Sequence, residues 1–184
     1  PDLRSVAPSR GHVVAVFDTG SDGPLHYIAS AFIAGRSLQA VLEELPRGQR
    51  LPLRLAAEVV RKLAEALAYA HREGVIHRDV KPANVMLRWD GEPLLMDFGL
   101  ASRGADEGDQ GRTMGTPPYM APEQWSGKAE AASDQYSLGC MFFELLTGQT
   151  PFGGGSLDHW ISLHLTKAPP SLRGLRPEIP RDLE

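Results

Sequence analysis

Residues 133–148, SDQYSLGCMFFELLTG, are apolar on nearly every side of a helical wheel. A helix without a polar face has no side to turn to water, so this one is expected to be buried. From Leu53 a second helical run, LRLAAEVVRKLAEALAYAHREG, shows the opposite pattern. Leu55, Val59, Leu63, Leu67 and Ala70 fall on one stripe, and Gly74 is placed to stop the helix.

The segments before and between these helices read as strands and turns. HVVAVFDTG and LHYIASAFIAG are β-rich, with the turn chemistry of SDGP between them. RSLQAVLEELPRG predicts a short helix ending at Pro46. NVMLRW and PLLMDF flank Asp90-Gly91, a strong hairpin signal. Residues 101–118 are polar and glycine-rich, and a loop of that length in a compact domain is usually functional or disordered. GGGS at 153–156 reads as a surface turn, since no Lys-Ser/Thr follows to make a phosphate loop. There is no internal repeat.

Composition excludes several classes. The chain's 184 residues fit one domain, and 42% apolar with 23% charged residues is a soluble globular profile. A net charge of −4 argues against a nucleic-acid partner. No apolar run approaches the roughly 18 residues of a membrane span, and no secretory leader is present, so nothing within the chain is expected to target or anchor it. The single cysteine, Cys140, precludes an internal disulfide and fits a reducing, cytoplasmic setting. It reads as a buried small hydrophobe rather than a nucleophile. His159 and His164, five apart, point to different sides of a helix, so a histidine metal site is not expected.

Two stretches carry candidate chemistry. VFDTGSDG (16–23) contains the Asp-Thr-Gly-Ser of an aspartic protease, or else only turns the chain at Asp18. HRDVKPANV (77–85) and DFG (97–99) offer a carboxylate, a lysine, an asparagine and a second carboxylate. Phosphoryl transfer needs a group to orient the attacking hydroxyl, oxygen ligands for Mg²⁺ and positive charge near the transferred group. This set can supply all three.

His-Arg-Asp, Asn five residues after the Asp, and Asp-Phe-Gly beyond a hairpin resemble the eukaryotic-type serine/threonine protein kinases, in their bacterial branch. GTPPYMAPEQ and SDQYSLGCMFFELLTGQTPF follow in the family's order. The resemblance implies an α+β, two-lobed fold, with residues 1–34 as a remnant of the small lobe and hinge and 35–184 as the large lobe. It implies ATP and Mg²⁺ as cofactors and a protein Ser/Thr hydroxyl as acceptor. By resemblance, Asp79 is the catalytic aspartate, Lys81 stands near the γ-phosphate, and Asn84 and Asp97 are the Mg²⁺ ligands. Thr116 touches Asp79 and Lys81 by the same resemblance. Nucleotide contacts fall to Ala31 and Ile33 of the hinge run SAFIAG and to Met86 on the floor, with Ser30 at the gatekeeper position. Arg78 is matched to the arginine that receives an activation-loop phosphate, with Thr113 the candidate phosphosite. His77 and Phe98 match packing residues between the lobes, and Asp134 matches the anchor of the catalytic-loop backbone.

The chain also departs from the pattern. The glycine-rich loop, the strand lysine and its partner glutamate have no counterpart, and Pro1 aligns near that glutamate. Toward the other end, the arginine that would pair with Glu123 is missing. The expectation is therefore an internal piece of a kinase domain, with little or no phosphoryl transfer by these residues alone. A non-catalytic kinase-like binding module is the alternative. The protease reading becomes remote, because no second Asp-Thr/Ser-Gly exists, and Asp18 becomes a turn residue.

Overall fold

The computed structural model describes residues 12–23, 25–46, 49–98 and 115–184. Strands β1 (Val16–Asp22) and β2 (Leu25–Ser30) form an antiparallel hairpin turned at Gly23, whose φ of 57° suits glycine. β3 (Gly35–Ser37), β4 (Val85–Arg88) and β5 (Pro93–Leu95) make a second antiparallel sheet in the order β3-β4-β5. A parallel bridge from Val13 to Leu95 ties the chain leading into β1 to that sheet. Val14 N–H donates to the Leu95 carbonyl (2.9 Å), and Leu95 N–H donates to that of His12 (2.7 Å). At Gly35 a Cβ would stand 2.1 Å from the Leu87 carbonyl oxygen, so β3 pairs this closely with β4 only because the residue is glycine.

Helix α1 (Leu38–Glu44) starts at Ser37, whose hydroxyl accepts from Ala40 N–H at 3.1 Å. It ends before Pro46, as expected. Helix α2 (Leu53–Arg72) is rich in Ala and Leu and ends in a Schellman motif on Gly74, φ 74°. Val75 N–H reaches the Ala70 carbonyl (2.9 Å) and Gly74 N–H that of His71 (3.0 Å). Its buried face is Ala56, Val59, Leu63, Ala66, Leu67 and Ala70. Leu55, expected on this stripe, is 46% exposed. Periodicity located the stripe, but the neighbouring elements close over its Ala56 edge and leave the Leu55 edge in water.

Helix α3 (Ala131–Thr147) is the buried helix the sequence demanded. Asp134, Met141, Leu145 and Leu146 are fully enclosed, and Gly148 at φ 78° ends it. It shares the core with α2 and with Val80, Val85, Leu95 and Phe98. Cys140 is buried there, and burial pushes its thiol up to about 12, which removes it as a nucleophile. Helices α4 (Leu157–Thr166) and α5 (Leu172–Leu175) follow the exposed glycines of 153–155. Among the described residues, no helix is long and apolar enough to cross a membrane.

Candidate active site

The loop 76–84 joins α2 to β4 and is held from below by α3. Asp134, fully buried, accepts from the backbone N–H groups of His77 (2.8 Å) and Arg78 (2.7 Å). His71, at the end of α2, adds a third contact at 2.7 Å through Nε2. This is the anchoring the resemblance implied for Asp134. His71 was not foreseen, because nothing in the α2 pattern separates it from an ordinary basic C-terminal residue.

The grip of Asp134 supports a strained backbone. Among the described residues, Arg78 (φ 71°) and Asp97 (φ 65°) alone hold a left-handed conformation without being glycine. Such residues persist where the surroundings over-determine them, and they concentrate at functional sites. His77, next to Arg78, is fully buried, with its ring edge-on at 4.6 Å to Phe98, the residue after Asp97. Its Nε2 lies 2.9 Å from the Met96 carbonyl and its Nδ1 3.2 Å from Asp79 N–H. A donor at Nε2 and an acceptor at Nδ1 define a neutral imidazole. Burial holds its pKa below the ordinary histidine value, against the opposing pull of Asp134, Asp79 and Asp97.

Above this support four predicted residues converge. Thr116 Oγ1 donates to Asp79 Oδ1 at 2.7 Å, and Lys81 Nζ donates to Thr116 Oγ1 at 2.6 Å. Lys81 Nζ also pairs with Asp79 Oδ2 at 2.6 Å. Asn84 Nδ2 donates to the Asp79 carbonyl (2.8 Å) and to its Oδ2 (3.1 Å). With the Asn84 amide nitrogen engaged this way, its Oδ1 is the atom left to act as a ligand. Asp97 is exposed and lines a cleft with Val13, Val14, Val16, Ile28, Ser30, Met96 and Phe98. Ser30 and the second carboxylate of the motif set thus line one cleft.

The remaining expectations divide. Ala31 donates its N–H to the Ala15 carbonyl (2.8 Å), so that N–H is already engaged within the chain. Ile33 and Met86 are half-buried, and Met86 is paired in the β3-β4-β5 sheet. Arg78 is half-buried, with its Nε enclosed and unpartnered among the described residues. Thr113 lies outside the described residues. Glu123, expected to lack its cation, is half-buried and accepts a hydrogen bond from the Ser133 hydroxyl. Asp18, expected to be a turn residue, instead lies within β1 opposite Ala29, because the hairpin turns only at Gly23; its carboxylate accepts from the Tyr27 hydroxyl at 3.3 Å.

Sequence reasoning missed the contacts that hold residues 116–126 in place. Gln124 caps the Pro122–Ser126 turn through Ala121 N–H (2.9 Å) and donates to the Arg78 carbonyl (2.8 Å). From α3, Ser137 donates to the Tyr119 carbonyl (2.7 Å), and the Tyr119 hydroxyl donates to Glu144 (2.7 Å). Burial raises the Glu144 carboxyl above its ordinary range. These are polar residues within apolar runs, with no local signal to mark them.

A loop of strained backbone over a buried aspartate, feeding a carboxylate–lysine–threonine–asparagine cluster, defines the large lobe of a kinase-like fold. The protein kinase domain family model matches residues 4–173. The chain belongs to that family. It is 40% identical over 172 residues to serine/threonine-protein kinase PknB of Mycobacterium tuberculosis, covering 88% of this chain and 27% of that protein. It is 38% identical over 184 residues to the probable serine/threonine-protein kinase SCO3848 of Streptomyces coelicolor, covering 94% and 26%. The crystal structure of the Mycobacterium tuberculosis PknI kinase domain superposes with a TM-score of 0.73 at 30% identity, covering 96% of this chain and 63% of that one. The chain therefore spans about a quarter of the length of these curated relatives. Members of the family use ATP with Mg²⁺ on protein substrates.

Proposed function

We propose that the protein carrying this chain is an ATP-dependent serine/threonine protein kinase, acting in the cytoplasm, with Asp79 as the residue that receives the proton of the substrate hydroxyl. Residues up to 34 belong to the small lobe and hinge, and those from 35 onward to the large lobe. The observation that carries this reading is the pinning of the Asp79 carboxylate by Thr116, Lys81 and Asn84 at 2.6–3.1 Å. Three donors on one carboxylate fix its direction, as an orienting base requires. The attacking hydroxyl oxygen bonds to the γ-phosphorus, the bond to ADP breaks, and the hydroxyl proton passes to Asp79. Lys81 sets a positive charge beside the transferred group, and Thr116 holds both side chains in register.

The residues present fit Mg²⁺. An exposed carboxylate and an amide oxygen are hard ligands of the kind that bind this ion together with substrate phosphates. Asp97 and Asn84 would hold it, and when bound it neutralises charge on the phosphates. The nucleotide base is placed by the Ala31–Ile33 backbone over Met86. Arg78, whose Nε is enclosed and without a partner among the described residues, receives a phosphate on Thr113.

The test is phosphate transfer from ATP to a Ser/Thr protein substrate by the full-length protein, read by mass spectrometry. Asp79→Asn is expected to lower kcat by about 10²–10⁴-fold. Asp97→Asn is expected to abolish Mg²⁺-dependent ATP binding in calorimetry. Transfer by Asp79→Asn at the wild-type rate refutes the assignment.

A further inference from the structure

His164 has no part in the reaction above, yet α4 buries it to 5% exposure. Its ring is edge-on to Phe152 at 4.9 Å, stacked on Trp160 at 5.8 Å, and tilted against Tyr136 at 5.8 Å and Trp125 at 6.1 Å. Tyr136 belongs to α3 and Trp125 to the Pro122–Ser126 turn, so this one side chain fastens α4 to both. On either side of the helix the chain is exposed, at Gly153, Gly154 and Gly155 before it and at residues 167–170 after it. Three successive glycines leave the backbone free to swing there.

The cage suits a neutral ring. Nδ1 lies 2.8 Å from the Tyr136 hydroxyl, while Nε2 is buried without a hydrogen bond among the described residues. With its proton on Nδ1, the neutral imidazole presents only a lone pair at Nε2. An imidazolium carries an N–H on both atoms, so a charged donor would be left buried and unbonded. Aromatic faces attract a cation, but among the described residues no carboxylate pairs with this one. The titratable groups on the elements packed against α4 are engaged elsewhere. Glu123 takes the Ser133 hydroxyl, Tyr119 donates to Glu144, and Asp134 holds the catalytic loop. The Cys140 thiol is kept neutral by burial, and on α4 itself Asp158 and His159 are exposed. Burial accordingly holds the His164 pKa below the ordinary histidine value, against the smaller opposing pull of the Pro117 carbonyl.

We propose that His164 is an acid-released latch: on taking up a proton it leaves the aromatic cage, and α4 swings free of the Pro122–Ser126 turn while α3 stays folded. Gln124, next to Trp125, donates to the Arg78 carbonyl at 2.8 Å, so the turn that loses α4 is one that braces the catalytic loop. The latch is a property of the fold and does not depend on the kinase reading.

The experiment is hydrogen exchange read by mass spectrometry on the full-length protein, corrected for the intrinsic effect of pH on exchange. Wild type, His164→Phe and His164→Gln are compared, each first shown to unfold cooperatively at neutral pH. Phenylalanine fills the cage and glutamine can still bond to Tyr136, but neither titrates. In the wild type, opening of residues 157–166 should rise about tenfold from about pH 6.5 to about pH 5.5, where an expelled histidine takes up its proton. Protection of α3 should stay constant over that range, and neither variant should show the rise in α4. Should His164→Phe fold poorly, His164→Gln alone carries the comparison. The same response in wild type and variants would assign the opening to other groups and overturn the latch. Greater protection of α4 in acid would overturn it too, since the cage would then be holding the cation. So would loss of α3 protection in step with α4, which would make the event global unfolding.

Discussion

Replacing Asp134 by asparagine tests whether this one carboxylate holds the catalytic loop. The native side chain is fully buried and accepts three hydrogen bonds, from His77 N–H, Arg78 N–H and His71 Nε2, at 2.7–2.8 Å. Asparagine has one acceptor oxygen. If that oxygen keeps His77 and His71, the amide NH₂ opposes Arg78 N–H, donor against donor. One charge-assisted bond is lost, worth about 1.5–3 kcal/mol, and a buried N–H is left unsatisfied at about 1–3 kcal/mol. The two overlap, so the expected loss is about 3–5 kcal/mol out of a typical total of about 5–15. Arg78 compounds the effect, because its φ of 71° is held only while the loop is gripped. Urea unfolding followed by circular dichroism gives the stability change, and hydrogen exchange gives the protection of the His77 and Arg78 amides. A loss under about 1 kcal/mol, with both amides as protected as in the wild type, would refute the reasoning.

Stability should fall on acidification below about pH 6.5, where an unfolded histidine takes up a proton. Burial lowers the pKa of both His77 and His164 in the fold, so in that window the unfolded state binds more protons and is favoured. The slope is up to about 1.4 kcal/mol per pH unit for each histidine. Glu144, raised by burial, acts in the opposite sense, so the readout is the difference from His164→Gln, whose urea midpoint should fall less steeply between pH 7.5 and 5.5. An equal slope in both proteins would exclude His164 as a contributor. Gly35→Ala should cost at least about 2 kcal/mol or prevent folding, because its Cβ would meet a backbone oxygen at 2.1 Å that cannot rotate away. A thermal midpoint within a degree or two of wild type would show that β3 and β4 separate freely.

The motif set HRDVKPANV and DFG was legible from sequence alone, as were the elements around it. Gly74 ends α2, Asp90-Gly91 turns the β4-β5 hairpin and Pro46 follows α1, because turn and cap chemistry act within a few residues. The apolar circumference of 133–148 foretold a buried helix for the same local reason. Which edge of a stripe is covered is not local, and so Leu55 was misplaced. Nor are the partners that assemble the site. Thr116 meets Asp79 across 37 residues, Asp134 meets His77 across 57, and Gln124 meets Arg78 across 46. His71, Gln124, Glu144 and His164 stand in stretches whose periodicity describes only how their helices and turns form. Their roles arise once packing has excluded water around them, because a polar group matters most where it has no solvent to turn to. Sequence by itself determined the elements and the chemical inventory. The tertiary structure decided which of those groups face one another, because burial and distance belong to the packed chain rather than to any segment of it.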